Sequence, residues 1–342
     1  MDLLTALSNK SNYSHSQLQL IVTAWVLGSA LEKRAKISLS NGDVAEDDYD
    51  KASLYSLLYA IYRSMGEVRC PRGVPYEFTF NTWGYEWPSS WGEPPTRDED
   101  PQRFGRNAYT GLFAAGEVKD YVKERSGVVH VVEMGCGTGA GAHHVCSNVL
   151  PRCTYQAVDM QQAAVETCNR KFVPDLAGRL RANRWDATQL PLQDASADFV
   201  VVNETHVTEM PGVITDEDRK FFDSAWRILK PGGYLLWGNA IPATTWDVCF
   251  SYLTEIGFSK VRDEDVTAEA IRARDLDKAR IDAYVDEAIE RFVGFRIPVY
   301  GERRAQLADV ALKNFARNPG TNLYDTMVNG TDSYRVVAFK KG

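Results

Sequence analysis

The stretch Val128-Val129-His130-Val131-Val132-Glu133-Met134-Gly135-Cys136-Gly137-Thr138-Gly139-Ala140-Gly141 decides the fold. A mostly apolar run, the composition of a buried strand, meets alternating glycines, and a helical pattern follows. Glycine lets the backbone turn sharply and lets a ligand approach the main chain without a Cβ in the way. The start of the following helix offers N–H groups that lack intrahelical partners. In an open parallel sheet such a loop holds a ligand at the carboxyl ends of the strands, where the strand order switches. Gly135-x-Gly137-x-x-Ala140 also satisfies the dinucleotide-binding spacing, so two further residues tilt the reading. Glu133, two positions before Gly135, can face a positively charged ligand group and would repel a pyrophosphate. Asp159 ends the next strand, and a carboxylate there can accept from both hydroxyls of a ribose.

Downstream, strands and helices alternate. Strands are predicted over 128–134, 155–160, 180–185, 199–203 and 234–238, and helices over 142–149, 162–172, 216–229 and 246–256. Thr215 is placed to cap the third helix and Gly257 to close the fourth. Alternation of this kind makes a parallel sheet with helices on both faces. A short strand near 259–262 is followed by a long amphipathic helix over 268–292, another over 303–315, and a closing strand over 334–340. Upstream, 1–65 reads as helical, broken by a polar, acidic loop over 38–50. Residues 70–107 are rich in proline and aromatics, among them Tyr76, Trp83, Trp87 and Trp91. Such a segment either packs on the core or covers a site. The expected organisation is a helical cap with aromatic loop (1–115), a core (116–265), a helical lid (266–325) and the last core strand (326–342).

Composition narrows the function classes. The 342 residues carry 39 Lys and Arg against 46 Asp and Glu, a net charge of −7 that disfavours general phosphate-backbone binding. No apolar run approaches the ~20 residues that cross a bilayer, and the first ten residues do not resemble a signal peptide. Cys70, Cys136, Cys146, Cys153, Cys168 and Cys249 form no CxxC pair and read as free thiols, so a cytoplasmic location is expected. His143 and His144 are adjacent and point to different helix faces without a third ligand, so no metal site is expected.

With these residues in order, the chain resembles class I S-adenosylmethionine-dependent methyltransferases of the small-molecule, natural-product type. Residues 133–139 are similar to the family's first motif and Val158-Asp159-Met160 to its second. Trp185-Asp186-Ala187 is similar to the third, 197–203 to the fourth, and Leu229-Lys230-Pro231-Gly232-Gly233 to the entry into the fifth strand. The resemblance implies a doubly wound, Rossmann-like α/β core of seven strands, with a helical N-terminal cap and a helical lid inserted before the last strand. It implies S-adenosylmethionine as cofactor, with Glu133, Gly135, Cys136, Gly137 and Gly139 holding the methionine portion. Asp159 would bind the ribose, Met160 would lie against the adenine, Asp186 would accept from its amino group with Trp185 or Ala187 nearby, and Asn203 would be a further cofactor contact. Asp186 could instead cap the following turn, and Met160 could be core.

The methyl acceptor is sought after the fourth strand, in Asn203-Glu204-Thr205-His206-Val207-Thr208-Glu209. His206 has the ordinary pKa of a base near neutrality, ~6.5, and Glu204 or Glu209 could orient it. The expected reaction is O-methylation of a hydroxyl or enol of a small, largely apolar secondary metabolite, with His206 as general base. The alternative is C-methylation of an alkene, prenyl or sterol-type substrate with Glu204 stabilising a carbocation, for which aromatics such as Tyr76, Trp83, Trp87, Tyr109 and Tyr334 could supply faces. A non-catalytic cofactor-binding module and a nicotinamide oxidoreductase stay open. A small-molecule partner is expected, not nucleic acid or membrane, and either a monomer or a homodimer.

Overall fold

The computed structural model describes residues 67–69, 75–77, 79–205, 211–293, 313 and 316–342. The chain divides into two units, one formed by 1–78 and 277–323 and the other by 79–276 and 324–342. Described strands of the first unit are β1 (Glu67–Arg69) and β2 (Pro75–Glu77), an antiparallel pair. The expected helices over 1–65 and 303–315 lie outside the described residues, apart from residue 313.

The second unit is built on a seven-stranded sheet. Helices α1 (Arg103–Leu112) and α2 (Gly116–Glu124) precede β3 (Val129–Met134). Then come α3 (Ala140–His144), β4 (Cys153–Asp159), α4 (Gln162–Lys171), β5 (Leu180–Arg184) and β6 (Ala197–Asn203). The chain continues through α5 (Asp216–Ile228), β7 (Leu229–Pro242), α6 (Thr245–Glu255) and β8 (Phe258–Asp265). It ends with α7 (Thr267–Val293), α8 (Asn322–Val328) and β9 (Asp332–Lys341).

The order across the sheet is β5-β4-β3-β6-β7-β9-β8. Strands β3 to β7 pair in parallel, and β9 runs antiparallel between β7 and β8. The order reverses between β3 and β6, which places the switch point beside the glycine loop. This is the doubly wound, Rossmann-like seven-stranded core that the motif order predicts.

All seven positions of β6 are buried, as a central strand covered on both faces requires. Its one charge, Asp198, lies near the amino end and is fully enclosed. Tyr121 Oη, the His130 N–H, Lys230 Nζ and Arg125 Nη1 reach it, each at 2.9 Å. These donors hold the carboxyl below its ordinary pKa against the opposing effect of burial. β7 is longer than expected because Lys230-Pro231-Gly232-Gly233 loops out between paired Leu229 and Tyr234 and does not end the strand. Thr215 does cap α5, in a capping box with Asp218.

Helices α1 and α2 are not visible in the sequence pattern. α1 contains Gly105, Asn107, Thr110 and Gly111, all poor helix formers, yet seven of its ten residues are buried. Tertiary packing overrides propensity there. In consequence residues 79–115 belong to the sheet unit, and not with the N-terminal segment.

Candidate cofactor and acceptor site

Three backbone features shape the glycine loop. Gly135, Gly137 and Gly139 all have positive φ, the left-handed region that side chains disfavour. At Gly139 a Cβ would also stand 2.2 Å from Cys168 Sγ, and at Gly135 it would stand 2.1 Å from the Thr205 side chain. Thr205 Oγ1 donates to the Gly135 carbonyl at 3.0 Å. The loop is therefore pinned to the segment that leaves β6.

Asp159 closes the loop from the other side. Its Oδ2 accepts from the Gly137 N–H and its Oδ1 from the Gln161 N–H, both at 2.8 Å. The Met160 N–H also acts on the carboxylate, whose two oxygens together offer about four acceptor sites, so it retains capacity for a hydroxyl donor. Burial raises its pKa to about 6, and the backbone N–H groups oppose that rise.

Glu133 is fully enclosed. Tyr109 Oη donates to its Oε1 at 2.8 Å and Tyr155 Oη to its Oε2 at 3.1 Å. Burial raises the Glu133 pKa to about 7, the two tyrosine hydroxyls working against that. Burial, and then the Glu133 charge, push both hydroxyls well above their ordinary value, so they remain donors. The expectation that Glu133 faces a ligand directly meets a carboxylate covered by two rings. Tyr109 comes from α1, and its ring fills the space a Cβ on Gly141 would need, 1.9 Å away. Beside it, Asn203 is only 6% exposed, and both atoms of its amide lack a hydrogen bond of normal geometry among the described residues. The Tyr109 hydroxyl is its polar neighbour, and a buried amide with donor capacity to spare at a strand's carboxyl end fits a polar ligand group there.

The residues after β4 and β5 are less enclosed. Met160 is 59% exposed, whereas Trp185 and Ala187 are partly buried against the core beneath. Asp186 is exposed, and its Oδ1 accepts from the Thr188 N–H and hydroxyl, both at 2.8 Å. It thus caps the turn Ala187–Gln189. Cys136 is buried, and burial raises its thiol pKa.

At the end of β6, Glu204 has φ +51. Its N–H donates to the Gly238 carbonyl at 2.7 Å. Its Oε1 accepts from Thr82 Oγ1 at 2.5 Å, the Trp83 N–H at 2.7 Å and Tyr334 Oη at 2.9 Å. Its Oε2 also accepts from the Trp83 N–H, at 2.9 Å. Trp83 and Tyr334 are buried. Tyr85 stands edge-on to Tyr334, and Trp87 to Trp91, with centroids 5.7 and 5.1 Å apart. His206 and Glu209 lie outside the described residues, as does the side chain of Tyr76. Sequence reasoning missed Thr82, Thr138, Tyr155 and Thr205; small hydroxylated residues and a mid-strand tyrosine carry no signature until the fold brings them to the loop.

These features match known proteins. A family profile described as "Methyltransferase domain" matches residues 132–237, from β3 through the middle of β7. A fatty-acid O-methyltransferase of Mycolicibacterium smegmatis is 23% identical over 266 residues, 78% of this chain and 84% of that protein. A phthiotriol/phenolphthiotriol dimycocerosates methyltransferase of Mycobacterium tuberculosis is 25% identical over 266 residues, 78% and 86% of the two chains. Among solved structures, a putative sarcosine dimethylglycine methyltransferase from Galdieria sulphuraria aligns with a TM-score of 0.54 at 14% identity, over 76% of this chain and 92% of that one. The [4+2]-cyclase SpnF aligns with a TM-score of 0.50 at 17% identity, over 85% and 95%. Fold, motif order and family match together define a class I S-adenosylmethionine-dependent methyltransferase. It is of the small-molecule type, and S-adenosylmethionine is its cofactor.

Proposed function

We propose that the chain methylates an oxygen of a small, largely apolar, lipid-like acceptor, with His206 as general base. S-adenosylmethionine supplies an electrophilic methyl group on a sulfonium. Asp159 accepts from the ribose through its remaining acceptor capacity, and the left-handed glycines let the backbone approach the methionine end. Asn203 offers its amide to that same end. Met160, Trp185, Ala187 and Asp186 flank the base.

The observation that carries the reading is the Thr205–Gly135 hydrogen bond. It ties the residue immediately before His206 to the glycine loop, which is where a base must act on an acceptor hydroxyl. A relative that methylates a fatty acid at oxygen supports the acceptor class. The C-methylation alternative asks Glu204 to face a developing cation. Its carboxylate already receives donors from Thr82, Trp83 and Tyr334, so that role would cost it part of this set.

The test is transfer of radiolabelled methyl from S-adenosylmethionine to fatty acids, long-chain alcohols and phenols, with the product bond identified by mass spectrometry. His206→Ala should cut turnover by roughly 100-fold or more and leave S-adenosylhomocysteine affinity nearly unchanged. A labelled carbon, or full turnover without the imidazole, refutes the assignment; binding without transfer to any acceptor would point to a cofactor-binding module.

A further inference from the structure

Glu204 is singular among the carboxylates at the sheet's carboxyl edge. A non-glycine residue in the left-handed region is strained and persists only where its surroundings hold it. Here the Gly238 carbonyl holds the backbone and three donors hold the side chain. Two of those donors, Thr82 and Trp83, lie 122 and 121 positions upstream in the chain. The same segment is tied at its beginning as well: Thr138 Oγ1, on the glycine loop, donates to the Thr79 carbonyl at 2.9 Å. Residues 79–83 therefore run from the loop after β3 to the loop after β6, the two strands that flank the switch point. A nucleotide held at that switch point would have this segment across its path.

We propose that Glu204 is a positioning residue, a latch whose carboxylate holds segment 79–83 across the cofactor cleft and whose release limits cofactor and product exchange. The proposal rests on the methyltransferase reading and gives Glu204 no part in bond making. It predicts that three chemically different substitutions act as one. Glu204→Gln replaces a charged acceptor by a neutral one and turns half of it into a donor. Tyr334→Phe and Thr82→Val each delete one donor and keep the carboxylate. Losing a hydrogen bond to a charged acceptor costs about 1.4 kcal/mol or more, a tenfold change.

The experiment uses the full chain with S-adenosylhomocysteine as probe and needs no knowledge of the acceptor. Stopped-flow displacement should show dissociation ~10-fold faster in each variant. The double variant Glu204→Gln/Tyr334→Phe should be little worse than Glu204→Gln alone, because both break one latch. Hydrogen exchange at the Trp83 amide should speed up in step, with melting temperatures near that of the unaltered chain. Unchanged dissociation in Tyr334→Phe and Thr82→Val, with only Glu204→Gln affected, would overturn the latch in favour of a charge acting alone. Unchanged Trp83 exchange in all three would overturn it as well. If no variant, nor the parent, binds the probe, the methyltransferase reading fails and not the latch.

Discussion

Replacing Asp159 by Asn tests the cofactor site at its most constrained point. The carboxylate receives the Gly137 and Gln161 N–H groups at 2.8 Å, one on each oxygen. Asn keeps the shape but offers one acceptor oxygen, and its NH2 then faces a backbone N–H. The variant thus loses one charge-assisted bond from a ribose hydroxyl, weakens the other, and sets two donors against each other. Hydrogen bonds to charged groups contribute about 1.5–3 kcal/mol each, and the two losses are coupled, so about 3 kcal/mol is expected in sum. That is roughly a 150-fold rise in Kd. Calorimetry with S-adenosylhomocysteine should be run near pH 8, where a carboxyl with a pKa of about 6 is ionised. Thermal melting of the free protein controls for damage to the loop. An Asp159→Asn protein that melts normally and binds within about threefold of the parent would refute the ribose assignment.

Other outcomes follow from the same geometry. Glu133 has a folded pKa of about 7 against an ordinary 4.5, so its contribution favours the fold most below pH ~4.5 and is lost as pH rises through 7. The full swing is roughly 3 kcal/mol, and Glu133→Gln should flatten it; urea unfolding at pH 5 and 8 that shows equal slopes in both proteins would refute this. Gly141→Ala places a Cβ 1.9 Å from the Tyr109 ring and should cost ~1–3 kcal/mol of stability, with Tyr109 displaced from Glu133; an unchanged urea midpoint would show that ring seated elsewhere.

Much of the core was readable because its signals are local and periodic. The apolar run into Gly135, the strand ending in Asp159 and the Thr215 cap each depend on neighbours a few residues away. Elements set by distant contacts were not readable. α1 is a helix because Tyr109 and its neighbours are buried against the sheet, not because of its composition. Asp186 caps the turn after its strand, the local one of the two readings its sequence position allows. The aromatic segment could be seen to be unusual from Trp83 and Trp87. Its attachment to Glu204 could not, since 121 residues separate the partners.

Three carboxylates mark the ends of β3, β4 and β6, and each is quieted differently. Glu133 sits between two tyrosine hydroxyls and carries a pKa near neutrality. Asp159 is held by backbone N–H groups, which oppose the effect of burial on its pKa. Glu204 is occupied by the segment it binds. A site of this kind suits a cationic sulfonium, because the two acids nearest the glycine loop have pKa values raised by burial, which an arriving positive charge would lower again. It suits an anionic acceptor less well, unless that acceptor is neutral when bound. The fold alone does not decide the reaction, since a [4+2]-cyclase shares it. Thr205 ties the segment leaving β6 to the glycine loop, and Glu204 ties it to Thr82 and Trp83, so two adjacent residues after Asn203 join both loops at the switch point to the aromatic segment.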